Sequence, residues 1–340
     1  MKYLRIMAVP AVVALAIMLA SGAQATYIAV SAMNNLNVIS DNGAIVENIP
    51  VSTYDADCLG AAFAPNGDIY TGAYTTGGSK EIDKYAYLGS GSWATAPVVF
   101  ASGLSAFPGN LTVDASGNVY VSTYNTYTLM KFNPDGSSAW SVAMPVGDTS
   151  TSGDIRIAPA GNSAGITAGD VCIYRQTGGT TVPGICCYTP SGSLDKQIGS
   201  GSYAMCYGDG GFDFNGAGNI IAPGNTYGPG AVLQWTPSLS LAWSDATHMP
   251  ASELMDSMIY GPDYNGDGTG DYYFGDSSTW NKIFVYSGVD HSYLGTIGGL
   301  NSSVRTLSQW TPTAVPEPSS LLVLIPGVAG LLGLAARKRS

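Results

Sequence analysis

The chain has 340 residues and a formal net charge of −11, with only 11% charged residues against 44 glycines and 21 tyrosines. That leaves little Lys, Glu or Gln for amphipathic helices, whereas Gly, Ser, Thr, Tyr and Val suit strands and tight turns. The acidic surplus is larger still in the body, because Lys2, Arg5, Arg337, Lys338 and Arg339 all lie at the two ends; such a surface repels nucleic acid and anionic lipid and suits divalent cations or neutral polymers.

Residues 1–25 read as a secretory signal peptide. Lys2 and Arg5 give a basic start, Ile6 to Leu19 is apolar, and Ala23-Gln24-Ala25 is a small-x-small cleavage site. Export permits disulfides. Cys58, Cys172, Cys186, Cys187 and Cys206 are odd in number, so one thiol is left over. Cys172 with the Cys186-Cys187 pair, or Cys187 with Cys206, are the feasible bridges.

Residues 26–312 are organised by a repeat. "NGDIYTGAY", "SGNVYVSTY", "AGDVCIYRQ", "AGNIIAPGN" and "TGDYYFGDS" align on Gly67, Gly117, Gly169, Gly218 and Gly270, spaced 50, 52, 49 and 52 residues apart. A period of this length with several short strands per repeat predicts a β-propeller. In the second period NLTVD is the innermost strand, followed by NVYVSTY, TLMKFN and an outermost SAWSVAM. Val119 and Val121 alternate with Tyr120 and Ser122, as a sheet requires. Gly67 and its equivalents are expected at a turn that a side chain would strain. TYIAVSA, LNVIS and AIVENI (26–49) look like a blade without its first strand, and SVRTLSQW (303–310) like a first strand without its blade. Sharing them closes the ring, so the expected fold is all-β and six-bladed, with seven blades as the alternative.

The sharpest chemical motif is "DYNGDGTGDYYFGD". Asp263, Asn265, Asp267, the Thr269 carbonyl and Asp271 are spaced as in a calcium loop, with Gly268 at the bend. Alternating short oxygen-bearing side chains on a curved backbone converge on one point, which suits a hard divalent cation. Phe274 stands where an EF-hand needs Glu, so the expected Ca2+ is structural. A looser set, Asp57, Asn110, Asp154, Asp209 and Asp256, begins the predicted innermost strands and is expected at one channel mouth. His248, in a long loop with Glu253 and Asp256, is a candidate general base, and His248, Asp209 and Asp256 form the alternative catalytic set. His291 is expected to be exposed in the turn GVDHSY. Tyr124, Tyr127, Trp235 and Trp280 could stack on sugars, although such rings more often pack between blades.

Residues 313–340 have three parts: a step at Pro316, Glu317 and Pro318, an apolar run from Leu321 to Ala336, and the cluster Arg337, Lys338 and Arg339. As a helix the run reaches about 24 Å, short of a ~30 Å hydrocarbon core. Its basic end is expected to stay cytoplasmic, leaving the body outside the inner membrane. This order closely resembles the PEP-CTERM sorting signal of Gram-negative bacteria. The resemblance implies an exosortase-type enzyme as partner, transient anchoring in the inner membrane, then a cell-surface or extracellular location linked to exopolysaccharide or biofilm. The stretch DASGNVYVSTYNTYTLMKFNPDGS resembles NHL-repeat and gluconolactonase-like propellers. The function expected is a non-catalytic binding or structural role at the surface, toward polysaccharide or other surface proteins. The alternative is a metal-dependent hydrolase, lactonase or lyase with its site at the channel mouth.

Overall fold

The computed structural model describes residues 25–51, 58–73, 80–123, 126, 128–144, 152–175, 184–199, 211–224, 231–235, 239–249, 255–276, 281–300 and 302–312. The signal peptide, the sorting segment with its expected helix, Asp57, Cys206, Asp209, Glu253, Tyr124, Tyr127 and Trp280 lie outside them. So do the side chains of Trp235 and Asp256. The described residues contain no α-helix.

Residues Ala25–Trp310 form one compact unit. It contains six four-stranded antiparallel sheets, each with its first strand innermost. Internal blade one begins at Cys58–Phe63, two at Pro108–Val113, three at Ser152–Ile157, four at Asp213–Phe214 and five at Met255–Tyr260. The closing blade takes its innermost strand from Thr306–Trp310 and the other three from Tyr27–Ala32, Asn35–Ser40 and Ile45–Pro50. Tyr27 pairs with Trp310 and Ser31 with Thr306. The fold is therefore the expected six-bladed propeller with a blade shared between the two ends.

Apolar clusters occupy the seams between successive blades, and they explain the alternation in the sequence. Val119 and Val121 pack toward blade one with Leu111 and Tyr70, while Tyr120 packs toward blade three with Ile155 and Ile173. Successive side chains on a strand point to opposite faces, so each middle strand of a blade serves two seams. The outermost strands have no neighbour beyond them; Ser138–Ala143 is largely exposed, whereas Val119–Thr123 is buried throughout.

Cys172 and Cys187 are direct cross-strand partners, with Cα atoms 4.0 Å apart, and form a disulfide. This decides between the two bridges left open: Cys187 is not available to Cys206, and Cys186 points into the opposite seam. The bridge lies in the seam between blades three and four.

Two local features depart from expectation. Gly67, Gly117, Gly169 and Gly218 have positive φ, but Gly270 does not. In the longer loop that precedes it, the left-handed positions fall to Gly266 and Gly268 (φ 77° and 89°). Gly270 is needed for a different reason: a Cβ there would stand 2.6 Å from the Gly261 carbonyl oxygen. Blade one also carries an inserted hairpin, Tyr87–Gly89 with Ser92–Trp93, which no repeat in the sequence announces. Its Trp93 indole donates to the Gly67 carbonyl at 2.7 Å. The ring sits among Tyr27, Phe63, Tyr87 and Trp310 at the seam with the closing blade.

Candidate ligand site in the central channel

The inner strands of the repeat share an irregularity. The pairing of first and second strands shifts register at Cys58/Gly60, Pro108/Leu111, Ser152/Ile155 and Met255/Ser257. Such bulges bend a strand and re-aim its side chains. Two members of the sequence-predicted ring, Asn110 and Asp154, lie in these bulges, and both are buried (3% and 0% exposed) rather than open at a mouth.

Asp154 belongs to a polar network that crosses four blades. Arg156 Nη2 donates to Asp154 Oδ2 at 2.9 Å and to the Met258 carbonyl of blade five at 2.7 Å. It also reaches the Leu307 carbonyl of the closing blade at 3.3 Å. Its Nε lies 3.6 Å from Asp213 Oδ1 of blade four, an ion pair too long to be a hydrogen bond. Ser257 donates to Asp154 Oδ2 at 3.0 Å and accepts the Leu307 amide at 2.9 Å. Asp213 accepts the Tyr260 and Phe214 amides at 2.9 and 2.8 Å. Burial pushes the Asp154 carboxyl up to about 7, against the pull of Arg156 and Ser257. Asp213 is likewise raised by burial and restrained by Arg156.

Above this network the channel opens into a cavity of about 220 Å³. All six innermost strands contribute to its wall. Phe63, Leu111, Val113, Ile157 and Ile259 contribute apolar side chains, but most of the accessible wall is polar, with Thr112, Ser308, Gln309, Arg156 and Asp213 in the lining. Gln309 Nε2 donates to the Tyr260 carbonyl at 3.0 Å, and Ser308 Oγ accepts the Phe63 amide at 3.2 Å. The arrangement offers a mainly polar surface set between apolar side chains, with its one cation already held by carboxylates.

The candidate calcium loop lies between the first two strands of blade five. Its carboxylates are engaged with the loop's own backbone. Asp263 accepts the amides of Gly266, Asp267 and Gly268 at 2.7, 3.0 and 2.6 Å. Asp267 accepts the Thr269 amide and the Asn265 side-chain amide, both at 2.9 Å. Asp271 is set apart from them: it is fully buried, and its two oxygens accept the Tyr264 and Gly288 amides at 2.7 and 2.9 Å. Among the described residues no three His, Cys, Asp or Glu side chains gather as a metal group. In donor chemistry Asp263, Asn265, Asp267 and the Thr269 carbonyl fit a hard cation at the exposed turn. Asp271 instead ties the loop to the blade.

His248 lies away from the channel wall. Its Nδ1 is 2.6 Å from Asp245 Oδ2, and its ring stacks on Tyr293 with centroids 3.9 Å apart. Its carboxylate partner among the described residues is Asp245; of the alternative catalytic set, Asp209 and the Asp256 side chain lie outside the described residues. His291 is stacked on Trp243 at 5.5 Å rather than simply exposed, and burial lowers its pKa. Sequence reasoning missed Arg156, Asp213 and Gln309. The signal available was Arg156 itself: a cation two residues from Asp154 in the innermost strand SGDIRI, in a chain with only 13 Lys and Arg.

No family model matches the chain, and no curated protein matches it in sequence. Solved structures share its fold. A chain of a nidogen/laminin complex superposes with a TM-score of 0.60 at 10% identity, covering 85% of this chain and 100% of that one. A protein of unknown function from Bacteroides caccae gives 0.51 at 13% identity, covering 84% and 98%.

Proposed function

We propose that this is an exported, non-catalytic binding propeller of the cell surface or extracellular matrix, and that it takes a neutral ligand end, such as one sugar unit of an exopolysaccharide, in the channel cavity. The observation that carries the reading is the spent state of Arg156. Its guanidinium is committed to two carboxylates and three carbonyls, those of Ile155, Met258 and Leu307. What is left to meet a ligand is hydroxyl, amide and apolar surface. The volume is below the ~300–1,000 Å³ of a typical small-molecule pocket, so it suits a chain end rather than a polymer run. The signal peptide at 1–25 and the PEP-CTERM-like segment at 313–340 supply the route: export, transient inner-membrane anchoring, and processing by an exosortase-type enzyme. One structurally similar propeller comes from a nidogen/laminin complex, which is in keeping with a binding role.

The purified mature protein is expected to bind neutral oligosaccharides from exopolysaccharide saturably in calorimetry. Thr112→Val and Gln309→Leu should each weaken that binding about tenfold, the cost of one ligand hydrogen bond. Absence of binding by the wild type, or wild-type affinity in both variants, would overturn the reading.

In the same proposal a calcium ion braces the blade-five turn through Asp263, Asn265, Asp267 and the Thr269 carbonyl. An ion bound only by the folded chain stabilises it by linkage. Chelator should therefore lower the melting temperature of the wild type by several degrees, and by distinctly less in Asp267→Ala. Equal chelator shifts in the two proteins would count against the loop as a calcium site.

A further inference from the structure

The residue after the repeat glycine is Asp68, Asn118, Asp170, Asn219 or Asp271 in blades one to five. Two of the three aspartates are satisfied in the same way. Asp68 Oδ1 accepts the Tyr87 amide and Asp271 Oδ1 the Gly288 amide, both at 2.9 Å. Each donor lies two residues beyond the end of its blade's third strand, at Tyr85 and Tyr286. The corresponding residues of blades two, three and four are Pro134, Pro190 and Pro237, and proline has no N–H to give. Blades two and four match their prolines with neutral Asn118 and Asn219. Blade three alone sets a carboxylate, Asp170, against a proline.

Asp170 is fully buried, and neither of its oxygens receives a hydrogen bond. An unsatisfied buried acid is costly, so the position calls for a partner. The group it faces is another acid, Asp195 on the blade's outermost strand, within hydrogen-bonding reach. Burial and Asp195 together raise the Asp170 carboxyl to about 6. No Lys or Arg among the described residues pairs with either acid. Lys196, next to Asp195 in sequence, donates instead to the carbonyls of Ala164 and Gly165. Thr167 Oγ1 donates to Asp195 Oδ2 at 3.3 Å. The loop that carries Thr167 is braced by Asn162, whose side chain bonds the Pro159 carbonyl and both backbone groups of Ile166.

We propose that Asp170 and Asp195, with the hydroxyl of Thr167, hold a divalent oxygen-seeking cation such as calcium in blade three. The ion supplies the positive charge that Pro190 cannot replace with an amide, and water completes the six to eight oxygens calcium takes. Two carboxylates and one hydroxyl give an affinity in the ~10⁻⁴–10⁻³ M range of extracellular calcium modules. The site is independent of the blade-five turn.

The test uses the mature protein carrying Asp267→Ala, so that the blade-five turn does not contribute, with calcium as the probe at pH 7.5. This protein is expected to bind one calcium ion in calorimetry and to melt roughly 3 °C higher with saturating calcium than with chelator. Adding Asp170→Asn, the residue that blades two and four place opposite proline, should abolish both effects and raise the melting temperature in chelator. Adding Asp195→Asn should also abolish binding. Adding Pro190→Ala, which restores an N–H, should weaken calcium binding severalfold. The proposal is overturned if the Asp267→Ala protein binds no calcium, or if its binding survives Asp170→Asn. A transition near pH 6 with no calcium dependence would overturn it too, since the acids would then simply share a proton. Failure of the blade-five reading looks different: Asp267→Ala would then leave the chelator response at its wild-type size.

Discussion

Replacing Arg156 with Met is expected to destabilise the propeller by about 3–5 kcal/mol, the usual cost of removing one partner from a buried ion pair. At a few degrees per kcal/mol for a domain of this size, the melting temperature should fall on the order of 10 °C. The loss is large because two acids depend on one guanidinium. Asp154 is fully buried, and Asp213 is mostly so. The same side chain also bonds Met258 and Leu307, joining blade three to blade five and to the closing blade. The pH dependence has a definite sign. Asp154 titrates near 3.8 when unfolded and near 7 when folded, so the native state binds the proton more tightly. Its contribution to stability is therefore greatest below about pH 4, erodes as pH rises to about 7, and is constant beyond. Without Arg156 the folded pKa should climb further, so the deficit of Arg156→Met should be smaller at pH 5 than at pH 8. Urea unfolding at the two pH values measures this directly. A variant that also carries Asp154→Asn and Asp213→Asn should recover much of the loss, because no buried charge is then left unpaired. An Arg156→Met protein as stable as wild type at pH 8 would remove the network from any structural role.

The ring could be read from the sequence because its determinants repeat. Each of the five internal blades needs a tight turn between its first two strands, so a glycine returns at near-constant spacing, and the split of the sixth blade between the two ends leaves complementary fragments at 26–49 and 303–310. The channel could not be read in the same way. Arg156, Asp213, Ser257 and Leu307 are scattered over four blades and meet only once the ring has closed. Their chemistry is also set by burial, which no local pattern announces. The cysteines fall between these cases: strand pairing brought Cys172 beside the Cys186-Cys187 pair, but the choice between neighbours depended on which face each presents. The acidic turn illustrates a different limit. Spacing grouped Asp271 with Asp263 and Asp267, yet Asp271 occupies the position of Asp68 in the repeat and bonds the Gly288 amide as Asp68 bonds that of Tyr87. A motif match and the repeat competed for the same residue, and the repeat explains its burial.

Ending the chain at residue 302 is expected to abolish cooperative folding of the ring, a larger effect than any single substitution here. The strand Thr306–Trp310 is innermost in its blade and is tied on three sides. It pairs with Tyr27–Ala32. Its Thr306 Oγ1 accepts the Ala61 amide at 2.9 Å and lies 2.6 Å from Ser31 Oγ, while Ser308 Oγ accepts the Phe63 amide. On the other flank the Leu307 amide donates to Ser257 of blade five. Removing it opens two apolar seams, exposes the edge of Tyr27–Ala32 and invites aggregation through that edge. A milder version, Thr306→Val, leaves the buried Ala61 amide without its acceptor and should cost about 1–3 kcal/mol. The truncated chain is expected to lose the sharp urea transition and to self-associate in size-exclusion chromatography. The converse experiment separates strand loss from chain-end effects. Because Tyr27 lies opposite Trp310, an Asn-Gly link from 310 to 27 should form a two-residue hairpin turn. With new ends placed between 144 and 152, that permuted protein should fold and melt within a few degrees of the parent. Normal folding of the truncated chain, or failure of the permuted one, would mean that the ring does not depend on a blade shared by its two ends.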